Sequence, residues 1–195
     1  MPAVTSTFGL LDRVHRGDRE AFALLFDQYS RRLAVLVHYR LSAELRASLE
    51  IDDVLQEVFF RAFRDIGKFE YRSPGSFMNW LSMIAGHVIV DLARFHGRQQ
   101  RQAVETVPFH SESNPRGPEP VDNLTPSRIL RENEALDTLI GKLGALSRDY
   151  REAILLAKVE GLSTAEVAER MGKSREAAAL LVHRAVKRFR SMAAP

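Results

Sequence analysis

Five of the eight prolines, Pro108, Pro115, Pro118, Pro120 and Pro126, fall between Val107 and Ser127. Proline locks φ and removes a backbone donor, so neither a helix interior nor a central strand runs through such a stretch. The run from Ser111 to Pro120 carries almost nothing apolar to bury, so it reads as a mobile linker. It divides the 195 residues into a block over 1–101, a linker over 102–124 and a block over 125–195. Each block is the size of a small domain. Hydrophobic residues make up 45% of the chain, enough to give both a core.

Both blocks read as helices. Phe22, Leu25, Phe26, Tyr29, Leu33, Leu36 and Val37 recur at three and four residues, the spacing of one helical face. A second helix starts near Asp52, with an inward stripe of Val54, Leu55, Val58, Phe59, Ala62, Phe63 and Ile66. Pro74 and Gly75 break the chain. A third helix follows with the stripe Phe77, Trp80, Leu81, Ile84, Ala85, Val88, Ile89 and Leu92. Beyond the linker, one helix is expected from about Pro126 to Leu143 and another from Ser147 to Glu160, with Tyr150, Ile154, Leu155 and Val159 inward. No alternation of period two is found, so the fold class is all-α: two small helical domains joined by a flexible Pro-rich linker.

Several functions are excluded or disfavoured at this stage. There is no cysteine, so disulfides and thiolate metal sites are impossible. The six histidines, at 15, 38, 87, 96, 110 and 183, show no metal-ligand spacing. No phosphate-cradling glycine loop, dinucleotide fingerprint or nucleophile elbow is present. The expectation is therefore no enzyme, no metal and no cofactor. No apolar run approaches the ~20 residues of a membrane helix, and Met1 to Phe8 lacks the layout of a secretory signal. A cytoplasmic protein without membrane insertion is expected.

Charge distribution is more telling than net charge, which is only +3. From Glu20 to Gln100, ten Lys/Arg balance ten Asp/Glu. From Arg170 to Pro195, seven Lys/Arg face the single acid Glu176. Such a basic end favours a polyanion, although a solvated helix face carries the same charges. The order of features decides between them. Ser163-Thr164-Ala165-Glu166 is a capping box opening a short helix that runs to Met171. Gly172 turns the chain, Ser174 caps again, and a basic helix runs to about Met192. Val167, Ala168, Ala177 and Val182 are placed to pack the two helices together. This is the layout of a helix-turn-helix, which offers the start of its second helix to the major groove. Lys173, Ser174, Arg175 and Glu176 would then face base edges. His183, Arg184, Lys187 and Arg188 lie further along, where phosphate contacts give affinity rather than specificity.

A second constellation lies in the first block. Asp53, Gln56, Glu57, Phe60, Arg61 and Arg64 form the face opposite the apolar stripe. Alone it reads as a solvated polar face, with Asp53 near the helix start for dipole reasons. Phe60 beside acids is a hint of a protein interface.

These residues carry a family resemblance. Ile51-Asp52-Asp53-Val54-Leu55-Gln56-Glu57-Val58-Phe59-Phe60-Arg61-Ala62-Phe63-Arg64 resembles the core-polymerase-binding helix of bacterial sigma factors. Lys68 to Arg72 resembles the following turn, and Ser76 to Leu81, Ile84-Ala85 and Asp91 to Arg94 resemble the promoter-melting helix. Gly161 to Gly172 and His183-Arg184-Ala185 resemble the C-terminal helix-turn-helix. Size and the missing middle domain point to the small extracytoplasmic-function group. The resemblance implies that Asp53, Gln56, Glu57, Phe60 and Arg61 dock on core RNA polymerase. Lys68, Tyr71, Arg72, His87 and Arg94 would engage the minus-ten element of promoter DNA and help open the duplex. Tyr71, at a turn, is the better candidate for stacking on a flipped base; Trp80, on the apolar stripe, reads as core. The C-terminal helix would read the minus-thirty-five element. An anti-sigma factor is the third partner the family suggests.

Two departures stand out. The family usually has Arg-Asn after Ile-Ala, where this chain has Gly86-His87. The recognition helix usually carries polar residues where this chain has Ala177-Ala178-Ala179-Leu180-Leu181. Leu180 and Leu181 would then pack or meet thymine methyls. Two rival readings stand beside the sigma factor: a helix-turn-helix regulator acting without polymerase, and an interaction protein whose basic helix is only a solvated face. The Asp53, Gln56, Glu57 helix separates the first rival, which does not need it.

Overall fold

A computed structural model of the protein describes residues 6–102 and 134–192. The proline-rich stretch, and the part of the expected helix before Glu134, lie outside the described residues. Within them the secondary structure is entirely helical.

The first block contains α1 (Thr7–His15), α2 (Arg19–Arg40), α3 (Ala43–Ser48), α4 (Ile51–Asp65) and α5 (Ser76–Gln102). Local chemistry sets their starts. Ser6, Asp18 and Ser42 accept backbone N–H groups at the first turns of α1, α2 and α3. Asp52 and Asp53 sit in the first turn of α4, where the helix dipole favours acids. A 3-10 turn over Ile66–Lys68 and the Ser73-Pro74-Gly75 break separate α4 from α5.

α2, α4 and α5 stand where the periodicity placed them. α1 and α3 are additions: each is short, and α3 buries no side chain. α2 is the hub. Leu33, Ala34, Val35, Leu36 and Val37 are consecutive and all buried, which requires neighbours on every side. α1, α4 and α5 supply some of them, and the C-terminal block supplies the rest. One member of the expected α4 stripe is corrected: Phe63 is 39% exposed, its ring edge-on to Phe22 at 4.8 Å. It sits at the rim of the stripe, where a large ring touches the core with one edge only.

α5 also corrects an expectation. Over Ser76–Arg98 its length and mean hydropathy of 1.2 meet the requirement for a membrane span. One apolar face of it is core instead: Phe77, Met78, Leu81, Ala85 and Val88 are fully buried against α2 and α4, while Met83, Val90 and Phe95 remain exposed. A core helix satisfies the same composition.

The second block contains α6 (Glu134–Gly144), α7 (Arg148–Ile154), α8 (Thr164–Met171) and α9 (Arg175–Ser191). α7 continues as a π-helix over Leu155–Glu160, closed by Gly161 in the left-handed region at φ 81°. The expected inward residues of this helix are only partly borne out. Ile154 and Leu155 are buried, while Tyr150 and Val159 are half-buried. Glu160, at its end, is buried in their place.

A small cluster of Leu156, Leu162, Val167, Ala168 and Ala178 holds the α8–α9 unit together. The larger cluster is continuous through both blocks. It runs from the first block into Leu136, Leu143, Leu146, Ala153, Ile154, Leu155 and Ala185. The two halves therefore share a core.

Candidate functional site

α8 and α9 form the expected helix-turn-helix. Ser163 Oγ accepts from the Glu166 N–H at 3.3 Å, and Glu166 Oε2 accepts from the Ser163 N–H at 2.7 Å. The Ser163 hydroxyl also donates to Glu166 Oε2 at 2.7 Å, and this bond, followed by the Ser163 N–H, holds the Glu166 carboxyl below its ordinary value. Gly172 adopts φ 61° between the helices, and Ser174 Oγ accepts from the Ala177 N–H at 3.2 Å. The packing differs from expectation at one position. Ala178, not Ala177, is buried against Val167 and Ala168. With Ser174 as the cap, the inward stripe of the helix runs through Ala178, Val182 and Ala185, and Ala177 falls one position off it.

At the start of α9, Lys173, Ser174, Arg175 and Glu176 are all exposed. Lys173 pairs with Asp149 at 3.6 Å. Glu176 is held below the ordinary carboxylate value, first by its own backbone N–H and then by Ser174. His183, Arg184, Lys187 and Arg188 are exposed along the same helix. Leu180 is 49% exposed, next to the reading positions, whereas Leu181 packs partly against the core.

α4 turns Asp53, Gln56 and Phe60 to solvent, with Glu57 half-buried. Arg61 is different. Its guanidinium donates to Glu57 Oε1 at 2.6 Å and to Asp91 Oδ2 at 2.7 Å, tying α4 to α5. The Asp91 bond is the largest influence raising the Arg61 pKa, and in return Arg61 lowers that of Asp91. Beside this bridge runs a groove of about 580 Å³ lined by Leu49, Asp53, Glu57, Arg61, Phe95 and Arg98, among others. Of its apolar residues Leu49, Leu92 and Phe95, Phe95 is 50% exposed.

The turn before α5 presents the remaining residues. Lys68 pairs with Asp65 at 2.9 Å and Arg72 with Glu70 at 3.1 Å, both exposed. Tyr71 is half-buried, its ring 5.5 Å from that of Phe8 in an edge contact. Ser76 Oγ accepts from the Arg72 and Ser73 N–H groups, fixing the turn. Trp80 packs against Phe69 at 4.9 Å and Phe77 at 5.7 Å, as its place on the apolar stripe implied. His87 and Arg94 are exposed on α5.

Sequence spacing does not reveal Phe8 covering Tyr71, Asp91 holding Arg61, or Phe95 lining the groove. Nor does it reveal Arg40, Ser82 and Glu160, which meet between the blocks. An acid at a helix C-terminus is disfavoured by the dipole; that was the one available signal for Glu160.

The sequence matches the family Sigma-70 region 2 over residues 25–99 and the family Sigma-70, region 4 over residues 136–189. These are the α2–α5 and α6–α9 units. The chain is 32% identical over 179 residues to the ECF RNA polymerase sigma factor BldN of Streptomyces coelicolor, covering 91% of this chain and 62% of that one. It is 30% identical to the ECF RNA polymerase sigma-E factor of Haemophilus influenzae, covering 83% of this chain and 82% of that one. Among solved structures, CnrH in complex with the cytosolic domain of CnrY is 23% identical, with 94% of each chain covered and a TM-score of 0.45. Two sigma regions in the right order, on a chain that spans most of the length of a relative at this identity, place it: the chain belongs to the extracytoplasmic-function (ECF) RNA polymerase sigma factors.

Proposed function

We propose that this chain is a two-ended adaptor that brings core RNA polymerase to a promoter and starts opening it. Residues 1–101 form the polymerase-binding and minus-ten unit, 102–124 the linker, and 125–195 the minus-thirty-five unit. Asp53, Gln56, Glu57, Phe60 and Arg61 dock on polymerase, with the neighbouring groove taking an apolar side chain of the partner at Phe95. Lys68, Tyr71, Arg72, His87 and Arg94 meet the minus-ten element. Lys173, Ser174, Arg175 and Glu176 face base edges of the minus-thirty-five element. His183, Arg184, Lys187 and Arg188 grip its phosphates.

The observation that carries this reading is the pairing of two exposed faces of opposite chemistry. α4 offers acids and a phenylalanine, suited to a protein; α9 offers cations, suited to DNA. A regulator working without polymerase has no use for the first. Catalysis belongs to the polymerase, so the chain works without cofactor or metal of its own, in the cytoplasm. The family resemblance adds an anti-sigma factor as a third partner, one that withholds the chain from polymerase.

The test is a pull-down of core RNA polymerase followed by run-off transcription from a promoter library. Retained core enzyme and discrete transcripts are expected. Duplex binding without polymerase retention would replace this reading with that of a free-standing regulator.

A further inference from the structure

One large apolar side chain of α9 belongs to no core. Leu180 is 49% exposed and lies in neither hydrophobic cluster, whereas its neighbours Leu181 and Val182 pack against them. The helix period explains the difference. Leu180 follows the buried Ala178 by two residues and precedes the buried Ala185 by five, so it points about 160° and 140° around the axis from them. Glu176, four residues before it, and His183 and Lys187, three and seven after, share this outward stripe and are exposed. Among the described residues no ion pair within 4 Å involves His183, Arg184 or Lys187.

A lone exposed leucine is common on any protein surface; this one stands where a groove would be. Leu180 is six residues past the Ser174 cap, about 9 Å along the axis and within the roughly 12 Å width of a DNA major groove. Lys187 is about 20 Å along, over the backbone beyond it. Side chains that read a groove recur at three- and four-residue spacings on one helical face. Glu176 and His183 bring polar groups to that face, and Leu180 between them brings only an alkyl group. Its chain neighbours on the exposed side, Ala177 and Ala179, carry no side-chain donor or acceptor.

We propose that Leu180 is a specificity-determining residue that selects a thymine in the minus-thirty-five element by packing on its 5-methyl group. Its placement at DNA rests on the function proposed above. Thymine is the one DNA base with a methyl group on its major-groove edge. Adenine and cytosine offer an amino donor there, and guanine two acceptors. An alkyl side chain pressed on those groups displaces their water and returns no hydrogen bond, which costs free energy. Against the thymine methyl it takes apolar surface of both partners out of water. Leu180 thus favours thymine and disfavours the other three bases, the two sides of a difference in affinity. Leu181, packed against the core, takes no part.

Deoxyuridine pairs as thymine does and lacks only the methyl, so it isolates this contact. The full-length chain, bound to core RNA polymerase, first selects duplexes from a pool randomised over the minus-thirty-five element. Each thymine of the selected sequence is then replaced singly by deoxyuridine. Affinity is measured by competition for the parent, Leu180→Ala and Leu180→Met. In the parent, one thymine should be sensitive, with binding about fourfold weaker once its methyl is gone. Leu180→Ala should bind the thymine and deoxyuridine duplexes alike. Leu180→Met keeps an alkyl contact of similar volume and should retain a difference of about twofold or more. Thermal melting should be parent-like in both variants, as for a side chain outside the core. Equal sensitivity in the parent and Leu180→Ala overturns this role, as does a parent indifferent to deoxyuridine at every position or a selected sequence without thymine. Those outcomes leave polymerase retention and sequence selection standing. Failure to retain polymerase and to select any sequence overturns the proposed function, and the role of Leu180 falls with it.

Discussion

The polar faces of the two blocks are built on opposite plans. Around α4 and the turn after it, cations are matched by acids: Arg61 by Glu57 and Asp91, Arg64 and Lys68 by Asp65, and Arg72 by Glu70. Along α9, among the described residues, no ion pair within 4 Å involves Arg184, Lys187, Arg188 or Arg190. The first surface has already spent its charges on itself, so it recognises by shape and by the acids left over, Asp53 above all. The second keeps its charge available for a polyanion, whose counterions it can displace. Ten bases against ten acids over residues 20–100, and seven bases against one acid over residues 170–195, are the compositional trace of this difference.

The largest effect should come from the first surface. Asp53→Ala combined with Glu57→Ala is expected to weaken core-polymerase binding by about 30-fold or more, as for an interface hot spot. The fold should survive, since Asp53 is exposed and the Glu57–Arg61 pair lies at the surface with Arg61 still held by Asp91, where one such pair contributes at most about 1 kcal/mol. Gel filtration with core polymerase reads the first and thermal melting the second. Parent-like binding would remove α4 from the docking surface.

The turn after α4 comes next. Tyr71→Ala should slow strand opening by an amount equivalent to about 1–3 kcal/mol of lost stacking, while closed-complex binding persists. Permanganate reactivity of the opened thymines is the readout. Because Phe8 covers one edge of Tyr71, Phe8→Ala should leave opening intact or speed it. Slowed opening in both variants would mean that α1 only supports the turn.

On the second surface two substitutions should fail differently. Arg175→Ala should relax preference at one or two base pairs, costing about 1–3 kcal/mol if its contact is bidentate. Lys187→Ala should weaken all sequences alike and lower the salt slope by about one. Binding to a randomised duplex pool at several salt concentrations separates them. Equal losses on every sequence for both would make α9 a grip without a reading end.

The smallest effect concerns acid. Arg61 lowers the Asp91 pKa, Arg64 and Lys68 lower that of Asp65, and the Ala21 N–H followed by Arg13 lowers that of Asp18. A carboxyl whose folded pKa lies below its unfolded value adds stability that is present above the unfolded value. That stability is lost as pH falls through the folded one, so the first block should weaken on acidification below about pH 4. Asp91→Asn should flatten this dependence slightly in an acid titration followed by circular dichroism. An unchanged titration curve would show that the exposed Arg61–Asp91 bridge adds nothing measurable.

Much of this protein was legible without coordinates, and the reason is local. Helix period, caps and breakers act within a few residues, so α2, α4, α5 and the α8–α9 unit could be placed from spacing alone. The capping box at Ser163, the left-handed Gly172 and the Ser174 cap are all sequence-neighbour interactions, as are the exposed positions on one face of α4. Ala177 and Phe63 show the limit: a shift of one residue, or a ring at the rim of a stripe, changes which side chain is buried. What only the tertiary structure decided are the meetings between distant residues. Arg61 finds Asp91 thirty positions away, Phe8 finds Tyr71, and Arg40 and Ser82 find Glu160 from the other side of the linker. No periodicity encodes such partners, because each depends on how whole helices are stacked. Glu160 at a helix end reads as an ordinary exposed acid until α2 and α5 are packed against it, and only then does its burial acquire a physical reason.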